Sequence, residues 1–313
     1  MTASILKGEQ FQNEEAAFAY VEALLWPNGP VCPHCGNADQ DRIHKMRGKT
    51  TRIGLRKCYE CKGQFTVRQG TVFESSHLPL HLWLQIVHLM CASKKGISTN
   101  QIQRMLSCSM KTAWFLTHRI REAMRDGSLA PMGGAGSVVE IDETYIGRKE
   151  GFETKRGYGH KNAVLSLVER KGRARSFHVE SATKEQIIPI VRDNVDHESH
   201  VMTDEANRYA RFGHEFAGHG VVDHSRDEYG YTDRETGMKI NTNTVEGFYS
   251  IFKRGMVGVY QRCGEQHLHR YLAEFDFRYS YRQKLGFDDG ARAEQALLGV
   301  KGKRLTYETT KAL

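Results

Sequence analysis

The sequence predicts a multidomain α+β protein, and three observations lead to this fold class. Two Cys-x2-Cys pairs near the start of the chain predict a small metal-binding unit. Residues 77–130 show the apolar spacing of helices, and the residues after 137 alternate strands with helices. The chain has 313 residues, which is longer than one compact domain usually is, so several domains are expected.

We predict four segments in order along the chain. Residues 1–76 hold an N-terminal helix and the cysteine unit, and residues 77–130 form a helical segment. The stretch "LAPMGGAGS" then reads as a linker, because glycine and proline interrupt regular structure. Residues 137–290 form the α+β domain, and residues 291–313 form a C-terminal tail.

Composition narrows the class of protein. No run of 18 apolar residues is present, and the first residues lack the apolar core of a secretion signal, so we expect a cytoplasmic protein without a membrane span. Lysine and arginine exceed aspartate and glutamate by 45 − 37 = 8, and the pI is about 9.1. This balance favours a polyanionic partner, above all nucleic acid.

The first segment predicts a structural zinc site. A helix in "NEEAAFAYVEALLW", capped by Asn13, is followed by "CPHCGN" and, further on, by "CYECKGQF". Two such knuckles form a closed tetrahedral site with four thiolates, which leaves no position open for chemistry. The predicted zinc ligands are Cys32, Cys35, Cys58 and Cys61. A hairpin between the knuckles carries a basic run from Lys45 to Arg68.

The second segment predicts a helix-turn-helix. Ser98 caps a helix through Leu106, "SCS" is the turn, and Met110 to Arg125 forms the second helix. In such a motif the second helix enters the major groove of DNA. A plain helical hairpin is the alternative interpretation. The predicted DNA contacts on this helix and on the basic hairpin are Lys111, Thr112, His118, Arg119, Arg56 and Lys57.

The third segment has the order of a ribonuclease H-like core. Three strands are predicted in "VVEIDETYIG", "NAVLSLVER" and "RARSFHVES", with a tight turn between the last two. A helix in "TKEQIIPIVRDNV" follows, and Pro189 is expected to kink or shorten it. A fourth strand in "HVMTDE", a short helical turn in "NRYARFG", a fifth strand in "HGVVDHS" and a helix from Thr242 complete the order.

Two aspartates on these strands predict a catalytic magnesium site. Asp142 lies on the first strand and Asp204 ends the fourth, and an ionised aspartate on a buried strand needs a partner. Magnesium prefers carboxylates and keeps positions open for water and phosphate oxygens. Two such ions can activate the attacking oxygen and stabilise the leaving oxygen in phosphodiester chemistry.

The third ligand is expected early in the following helix. Asn243 and Glu246 share one face of this helix, and either can bind metal while the other supports it. Lys253 lies two turns beyond Glu246 and can reach the DNA backbone, as can Arg254. The basic turn "KRGYGHKN" either grips DNA beside the site or is only solvated.

Other side chains near these strands carry weaker predictions. Strand alternation turns Glu143 and Glu205 away from the two aspartates, so we interpret both as structural or solvated. Glu140 shares a face with Asp142 but lies nearer the start of the strand. His224 ends the fifth strand and is either a phosphate contact or proton-transfer group, or a structural histidine.

Taken together, these motifs resemble bacterial insertion-sequence transposases of the DDE superfamily. The zinc-ribbon-bearing ISXO-type group is the most similar, through "WPNGPVCPHCG", "VEIDETYIG", "VMTDE", "DHSRDEYGY", "NTNTVEGFYSIFKRGMVGVY" and "HLHRYLAEFDFRYS". The resemblance implies Mg²⁺-dependent cutting and joining of double-stranded DNA at inverted-repeat ends, with Mn²⁺ able to substitute. It assigns Asp142 and Asp204 as the first two catalytic acids, and Lys253 as the basic residue that follows.

The reaction that the resemblance implies brings two element ends together, so we expect at least a homodimer on DNA, associated with the nucleoid when bound. Two other classes of protein fit part of the pattern. One is a ribonuclease H-like nuclease that cuts without joining. The other is a zinc-ribbon and helix-turn-helix regulator with an inactive core, against which the intact Asp142 and Asp204 count.

Overall fold

The computed structural model describes residues 4–127, 130–154, 156–206, 209, 212–223, 230–234 and 236–306. The chain forms two compact units, Met1–Arg125 with Phe287–Leu313, and Asp126–Gly286. No helix in the described part of the chain is both long enough and apolar enough to cross a bilayer.

The first unit begins with the predicted helix and zinc ribbon. Helix α1 spans Glu14–Leu25, and the Asn13 side chain accepts a hydrogen bond from the Ala16 N–H, which confirms the predicted cap. A three-stranded antiparallel sheet follows, in the order β1-β2-β3. Its strands are β1 (Ile43–Lys45), β2 (Arg56–Cys58) and β3 (Gln64–Phe65). The buried core beneath this sheet contains two of the cysteines together with Ile43 and Phe65.

Three helices follow in the same unit: α2 (Leu80–Ala92), α3 (Thr99–Leu106) and α4 (Met110–Met124). The Ser98 and Ser109 side chains cap α3 and α4 by accepting backbone N–H groups. Between them Ser107 adopts a left-handed conformation, with φ of 49°, which ends α3. The two predicted helices and the turn between them are therefore confirmed.

The second unit is built on a five-stranded mixed sheet with the order β6-β5-β4-β7-β8. Its strands are β4 (Val138–Ile146), β5 (Asn162–Glu169), β6 (Ala174–Val179), β7 (His200–Asp204) and β8 (Gly218–Val222). The first three strands pair antiparallel, whereas β7 and β8 pair parallel to β4 and to each other. This is the ribonuclease H-like topology predicted from the order of elements.

Helices cover both faces of this sheet. Helix α5 (Lys184–Asn194) packs Ile187, Ile188 and Val191 against one face, and it continues through Pro189 without a break. A short hairpin of β9 (Tyr231–Thr232) and β10 (Lys239–Ile240) precedes α6 (Asn243–Gly255), which leads into one turn of π-helix at Met256–Tyr260. Helix α7 (Leu268–Ser280) joins α6 on the other face of the sheet.

A further helix forms where the sequence predicts only a tail. Helix α8 spans Asp289–Leu298 and belongs to the first unit, where it packs against α2. The Asp288 side chain caps it by accepting the Ala291 N–H, and Ala293, Ala296 and Leu297 are buried. The predicted tail over 291–313 is thus wrong for its first residues, because these small apolar side chains complete the core around α2.

Candidate active site

The four predicted zinc ligands converge on one point of the first unit. The ligand atoms of Cys32, Cys35, Cys58 and Cys61 all lie within 4.8 Å of one another. The Sγ atoms are 3.6 Å apart for Cys32 and Cys61, and 3.8 Å apart for Cys35 and Cys58. Tetrahedral Zn–S bonds of about 2.3 Å place sulfurs about 3.8 Å apart, so the cluster fits a structural Zn²⁺.

Strand pairing determines where Asp142 points in the second unit. Asp142 pairs with Ser166 of β5, between Val164 and Val168, whose side chains pack against α6 and α7. Cross-strand partners share a face of the sheet, so the Asp142 side chain lies on the α6 face. Val139 and Ile141 alternate with it and fill the core on the α5 face.

Asp204 occupies the corresponding position on the neighbouring parallel strand. Pairing between β4 and β7 runs from Val138 with His200 to Glu140 with Met202. Two residues further along each strand, this register leads to Asp142 and Asp204. Backbone pairing between the two strands ends at Glu140 and Met202, so both aspartates lie just beyond the last pair. We call this unpaired end of β4 and β7 the fork. Strand order also reverses between β4 and β7, which is where ligands bind in open sheets of this kind.

A buried carboxylate fixes the start of α6 beside this fork. Glu140 is fully buried and accepts hydrogen bonds from the Thr244 and Val245 N–H groups at 2.7 and 2.9 Å. It also accepts from the Thr244 hydroxyl at 2.7 Å and from Arg170 Nε at 2.6 Å. Arg170 in turn donates to the carbonyls of Lys239 and Asn241. Glu140 thereby satisfies N–H groups that a helix N-terminus otherwise leaves unpaired.

A second contact attaches the middle of α6 to the same strand. The Tyr249 hydroxyl donates to the Asp142 carbonyl at 2.5 Å. Glu246 lies on α6 between this contact and the Glu140 contact, and its carboxylate accepts from the Thr242 hydroxyl at 2.9 Å. The helix therefore holds Glu246 at a set position along the strand that carries Asp142.

The electrostatics of Asp142 reflect burial and the neighbouring acids. Burial is the largest cause that raises the pKa of Asp142, and the charges of Glu143, Asp204 and Glu246 raise it further, to about 7 against an ordinary 3.8. Carboxylates that repel one another in a half-buried site are stabilised by a divalent cation. The oxygen donors and their mutual repulsion fit Mg²⁺.

The acids are gathered less tightly than the cysteines. Among the residues that the structure describes, the cysteine cluster is the one group of metal-ligating side chains whose ligand atoms all lie within 4.8 Å. Asn243, the other candidate for third ligand, is the first residue of α6 and is exposed. The backbone N–H of Asn243 donates a hydrogen bond to the Asn241 side-chain oxygen at 3.3 Å.

The two basic residues at the end of α6 differ in their surroundings. Lys253 is exposed, and its ammonium lies 6.0 Å from the centroid of the Tyr249 ring, which places it near the fork. Arg254 is also exposed, and its Nε donates to the Ser250 carbonyl of its own helix at 2.9 Å. Lys253 therefore lies nearer the acids, and Arg254 remains a predicted backbone contact.

The other side chains near the fork take structural positions where the structure describes them. Glu143 turns to the α5 face, as predicted, and accepts a hydrogen bond from the Tyr209 hydroxyl. Glu205 is exposed just after β7. His224 and the residues that follow it lie outside the described part of the chain, as do several residues of "NRYARFG".

The structure corrects two of the predicted DNA contacts on α4. Lys111 and Thr112 are exposed at its start, but His118 and Arg119 are 0% and 4% exposed. Arg119 donates to the carbonyls of Glu74 and Leu305, which lie far from it in sequence. Helical spacing marks a polar face, but it cannot show that other segments of the same unit cover that face.

The basic hairpin is also partly engaged within the protein. Arg56 donates to Glu22 at 2.6 Å, and its guanidinium lies 5.5 Å from the centroid of the Trp26 ring. Lys57 is half-buried, and its ammonium lies 5.2 Å from the centroid of the Tyr59 ring. Arg56 therefore contributes to packing between α1 and β2, which weakens the prediction that it contacts DNA.

Sequence reasoning did not assign Glu140 and Arg170 a role at this site. The available signal was an acid two residues before Asp142 on a buried strand, which places both on one face. Its partner Arg170 lies in the turn after β5, and the sequence alone does not show that this turn approaches α6.

Two family models and one curated relative are similar to this chain. Residues 133–280 match the family model of an ISXO2-like transposase domain, and residues 12–64 match a transposase zinc-ribbon domain. A Halobacterium salinarum protein, described as an uncharacterized protein in transposable element ISH50, is 26% identical over 295 residues, which cover 88% of this chain and 94% of that protein.

One solved structure is a weak match. It is the simian T-cell lymphotropic virus intasome in complex with PP2A regulatory subunit B56 gamma, with 14% identity and a TM-score of 0.21. The alignment covers 40% of this chain and 48% of the solved chain. A likeness this distant supports no conclusion about this protein.

Proposed function

We propose, because this chain belongs to the ISXO2-like transposases of the DDE superfamily, that it cuts and joins DNA strands at the inverted-repeat ends of an insertion sequence. The observation that supports the proposal is the register of the central sheet, which brings Asp142 and Asp204 to corresponding positions at the fork, beside the helix of Glu246. Burial raises the pKa of Asp142 most, and the charges of Glu143, Asp204 and Glu246 raise it further. Carboxylates placed in this way suit Mg²⁺-dependent phosphodiester chemistry.

The reaction consists of two displacements at phosphorus. In the first, the oxygen of water bonds to phosphorus at the element end, and the 3′ oxygen leaves as a free hydroxyl. In the second, this 3′-OH attacks a phosphodiester of target DNA, and the 3′ oxygen of the target strand leaves. Neither step requires a covalent bond to the protein, so catalysis depends on positioning and charge stabilisation.

The chain's own residues divide this work. Asp142, Asp204 and Glu246 would hold the divalent cations, which supply charge stabilisation for the attacking and leaving oxygens. Glu140 and Arg170 hold the start of α6 in place and so would orient Glu246 toward the two aspartates. Lys253, exposed at the end of α6, would contact the phosphate backbone of the bound strand.

We favour Glu246 over Asn243 as the third ligand. The charge of Glu246 acts on Asp142, and Glu246 lies between the two contacts that attach α6 to β4. Asn243 precedes both contacts at the first position of the helix, and its neutral amide adds no negative charge to the site. Asn243 then supports the site without holding a cation directly.

DNA binding is the other part of the proposal. The exposed start of α4, with Lys111 and Thr112, would read the element end, and the zinc ribbon would add backbone contacts. The two ends of an element must be joined in one reaction, so the active form on DNA would be at least a homodimer.

Strand joining tests the proposal directly. A labelled duplex from the DNA that flanks the gene is incubated with plasmid and Mg²⁺, and covalent joining is measured on a denaturing gel. We expect wild type to join, Asp204→Ala and Glu246→Ala to lose at least about a hundredfold, and Asn243→Ala to lose less. Zinc content and melting temperature are checked for each variant.

Each failure points to one alternative. Cutting without joining would support a ribonuclease H-like nuclease. Specific binding of the ends by wild type, with neither cutting nor joining in Mg²⁺ or Mn²⁺, would support a regulator with an inactive core. Complete loss in Asn243→Ala and full activity in Glu246→Ala would reverse the assignment of the third ligand.

A further inference from the structure

A cavity lies directly beside the fork, and the acids do not account for it. Its volume is about 580 Å³, within the range of roughly 300–1,000 Å³ typical of ligand pockets. It begins one residue beyond Asp142 on β4 and reaches the end of α6. Its lining residues are Glu143, Thr144, Tyr145, Ile146, Gly147, Tyr158, Lys161, Lys253 and Val257.

Two stacked tyrosines form one wall of this cavity. The rings of Tyr145 and Tyr158 are 4.6 Å apart between centroids, with an angle of 7° between their planes. Tyr145 is packed against the sheet core on its other side, whereas Tyr158 is 59% exposed. A large exposed ring held parallel to a second ring is a rigid flat platform, which costs little entropy when a planar ligand stacks on it.

Positive charge surrounds this platform. The Lys161 ammonium lies 5.3 Å from the centroid of the Tyr158 ring, and Lys253 lines the cavity from the α6 side. The acid in the lining, Glu143, accepts a hydrogen bond from Tyr209 on the α5 face. The cavity therefore combines a flat aromatic surface with two ammonium groups, a combination that suits a base flanked by phosphates.

The helix that carries Glu246 also shapes the mouth of the cavity. Helix α6 passes into a π-turn at Met256–Tyr260, and Val257 in this turn is 68% exposed and lines the cavity. Single π-turns are rare and often occur at functional sites. An exposed apolar side chain in the lining gives a base a further surface to contact.

We propose that this cavity holds one DNA base that is unstacked from the duplex next to the phosphodiester that reacts, with the base against Tyr158 and the flanking phosphates near Lys161 and Lys253. The proposal rests on the proposed function, because it names a subsite for the same DNA. Extraction of this base from the helix would fix the position of the adjacent phosphate at the fork.

The base must displace the contact between Lys161 and Tyr158. A cation–π contact exposed to water is weaker than base stacking on an aromatic ring, so the exchange favours the base. The released ammonium stays within reach of the flanking phosphate and gains a charge-assisted contact there.

Binding measurements test the subsite without any strand cutting. The full-length, zinc-loaded protein is titrated, in the absence of other divalent ions, with two duplexes of the flanking sequence that differ only by one unpaired thymine at the element end. We expect the unpaired duplex to bind about tenfold more tightly. Tyr158→Ala should lose this preference, Tyr158→Phe should keep it, and Lys161→Gln should weaken both duplexes alike.

A matched control and a direct map complete the test. Phe152→Ala removes another exposed ring, 55% exposed, from the same connection between β4 and β5 but outside the cavity, and it should keep the preference. Replacement of the unpaired thymine by 5-iodouracil, followed by irradiation and peptide mass spectrometry, should give an adduct at Tyr158 or Tyr145.

An unchanged preference in Tyr158→Ala, or adducts only outside the cavity, would overturn the subsite. If that outcome is found while wild type joins strands and Asp204→Ala does not, the proposed function stands and the subsite does not. If the Tyr158-dependent preference is found but no element end is cut or joined, the subsite stands and the proposed function falls.

Discussion

The zinc site and the proposed cation site of this chain are built in opposite ways. The cysteines lie on two knuckles of one small sheet, and their sulfurs are already at the spacing that zinc needs. The acids come from three separate elements and are less tightly gathered, and burial together with neighbouring carboxylates raises the pKa of Asp142. A closed sulfur site makes the metal part of the fold, whereas an open carboxylate site depends on a cation to relieve its repulsion.

The largest expected effect is the loss of zinc and of folding in the ribbon when one cysteine thiolate is removed. Cys58→Ser leaves three sulfurs, so zinc should fall from about one ion per chain to almost none. Zinc contributes on the order of 10 kcal/mol to small sites of this kind, so the ribbon should unfold. Metal analysis and circular dichroism measure both changes. Cys108→Ser, outside the cluster, should keep its zinc, and a folded, zinc-bound Cys58→Ser would break the distinction.

The acidic site should respond to pH in the opposite sense to a salt-bridged carboxylate. The pKa of Asp142 is raised to about 7, so its protonated form stabilises the cation-free fold. This contribution is complete below about pH 4 and is lost as the pH rises through 7. At pH 8, Asp142→Asn should therefore stabilise the cation-free protein, by at most about 4 kcal/mol.

Thermal melts with and without Mg²⁺ measure this effect. Mg²⁺ should raise the melting temperature of wild type more at about pH 8 than at about pH 5, because the carboxylates are then ionised. Asp142→Asn should lose most of that rise. Asp193→Asn, at an exposed position of α5, serves as control and should behave as wild type. A rise in melting temperature with Mg²⁺ that depends on neither pH nor Asp142 would show that the cation binds elsewhere.

Glu140 should affect the geometry of the carboxylate site but not the zinc site. In Glu140→Gln, an NH2 group replaces one carboxylate oxygen, so the side chain can accept either from the N–H groups of α6 or from Arg170, but not from both. We expect strand joining to fall about 10- to 100-fold, and the Mg²⁺ concentration for half-maximal joining to rise. Zinc content should not change.

A matched change separates positioning from general stability. Glu169 lies at the end of β5 and accepts only weakly from its own turn, at 3.4 Å from the Arg173 nitrogen. Glu169→Gln should join normally. A lower melting temperature in Glu140→Gln with an unchanged Mg²⁺ requirement would show that Glu140 is structural only.

The smallest expected effect concerns the start of α4. Lys111→Ala should weaken DNA binding severalfold and lower the salt slope of binding by about 1, because one phosphate contact is lost. Arg119→Gln should leave that slope unchanged and lower the melting temperature, since Arg119 bonds two carbonyls inside the unit. Fluorescence anisotropy at several salt concentrations distinguishes the two variants, and a lower salt slope in Arg119→Gln would show that Arg119 contacts DNA.

Local patterns predicted the parts of this protein that depend on local sequence. The cysteine spacing determined the zinc ligands, and the order of strands determined the sheet topology with Asp142 and Asp204 on adjacent strands. The spacing of the cysteine pairs predicts the zinc ligands, and the alternation of side chains along a strand predicts the face of the sheet on which each aspartate lies.

The errors arose where distant segments meet. The burial of His118 and Arg119 depends partly on the segment around Leu305, and the C-terminal helix becomes visible only as a partner of α2. Glu140 stood out as an acid on a buried strand, but its role requires the start of α6 to lie against it. No single-sequence pattern reports which surfaces a remote segment will cover.

The fork between β4 and β7 has a further consequence for how the protein moves. Backbone pairing between these strands ends at Glu140 with Met202, so the amides beyond it on that side of β4 lack protection by the ladder. They should exchange hydrogen for deuterium faster than those that pair with β5 along the rest of β4. Cations bound by both aspartates would connect the ends of β4 and β7. Hydrogen exchange of these amides should therefore be slower with Mg²⁺ than without it.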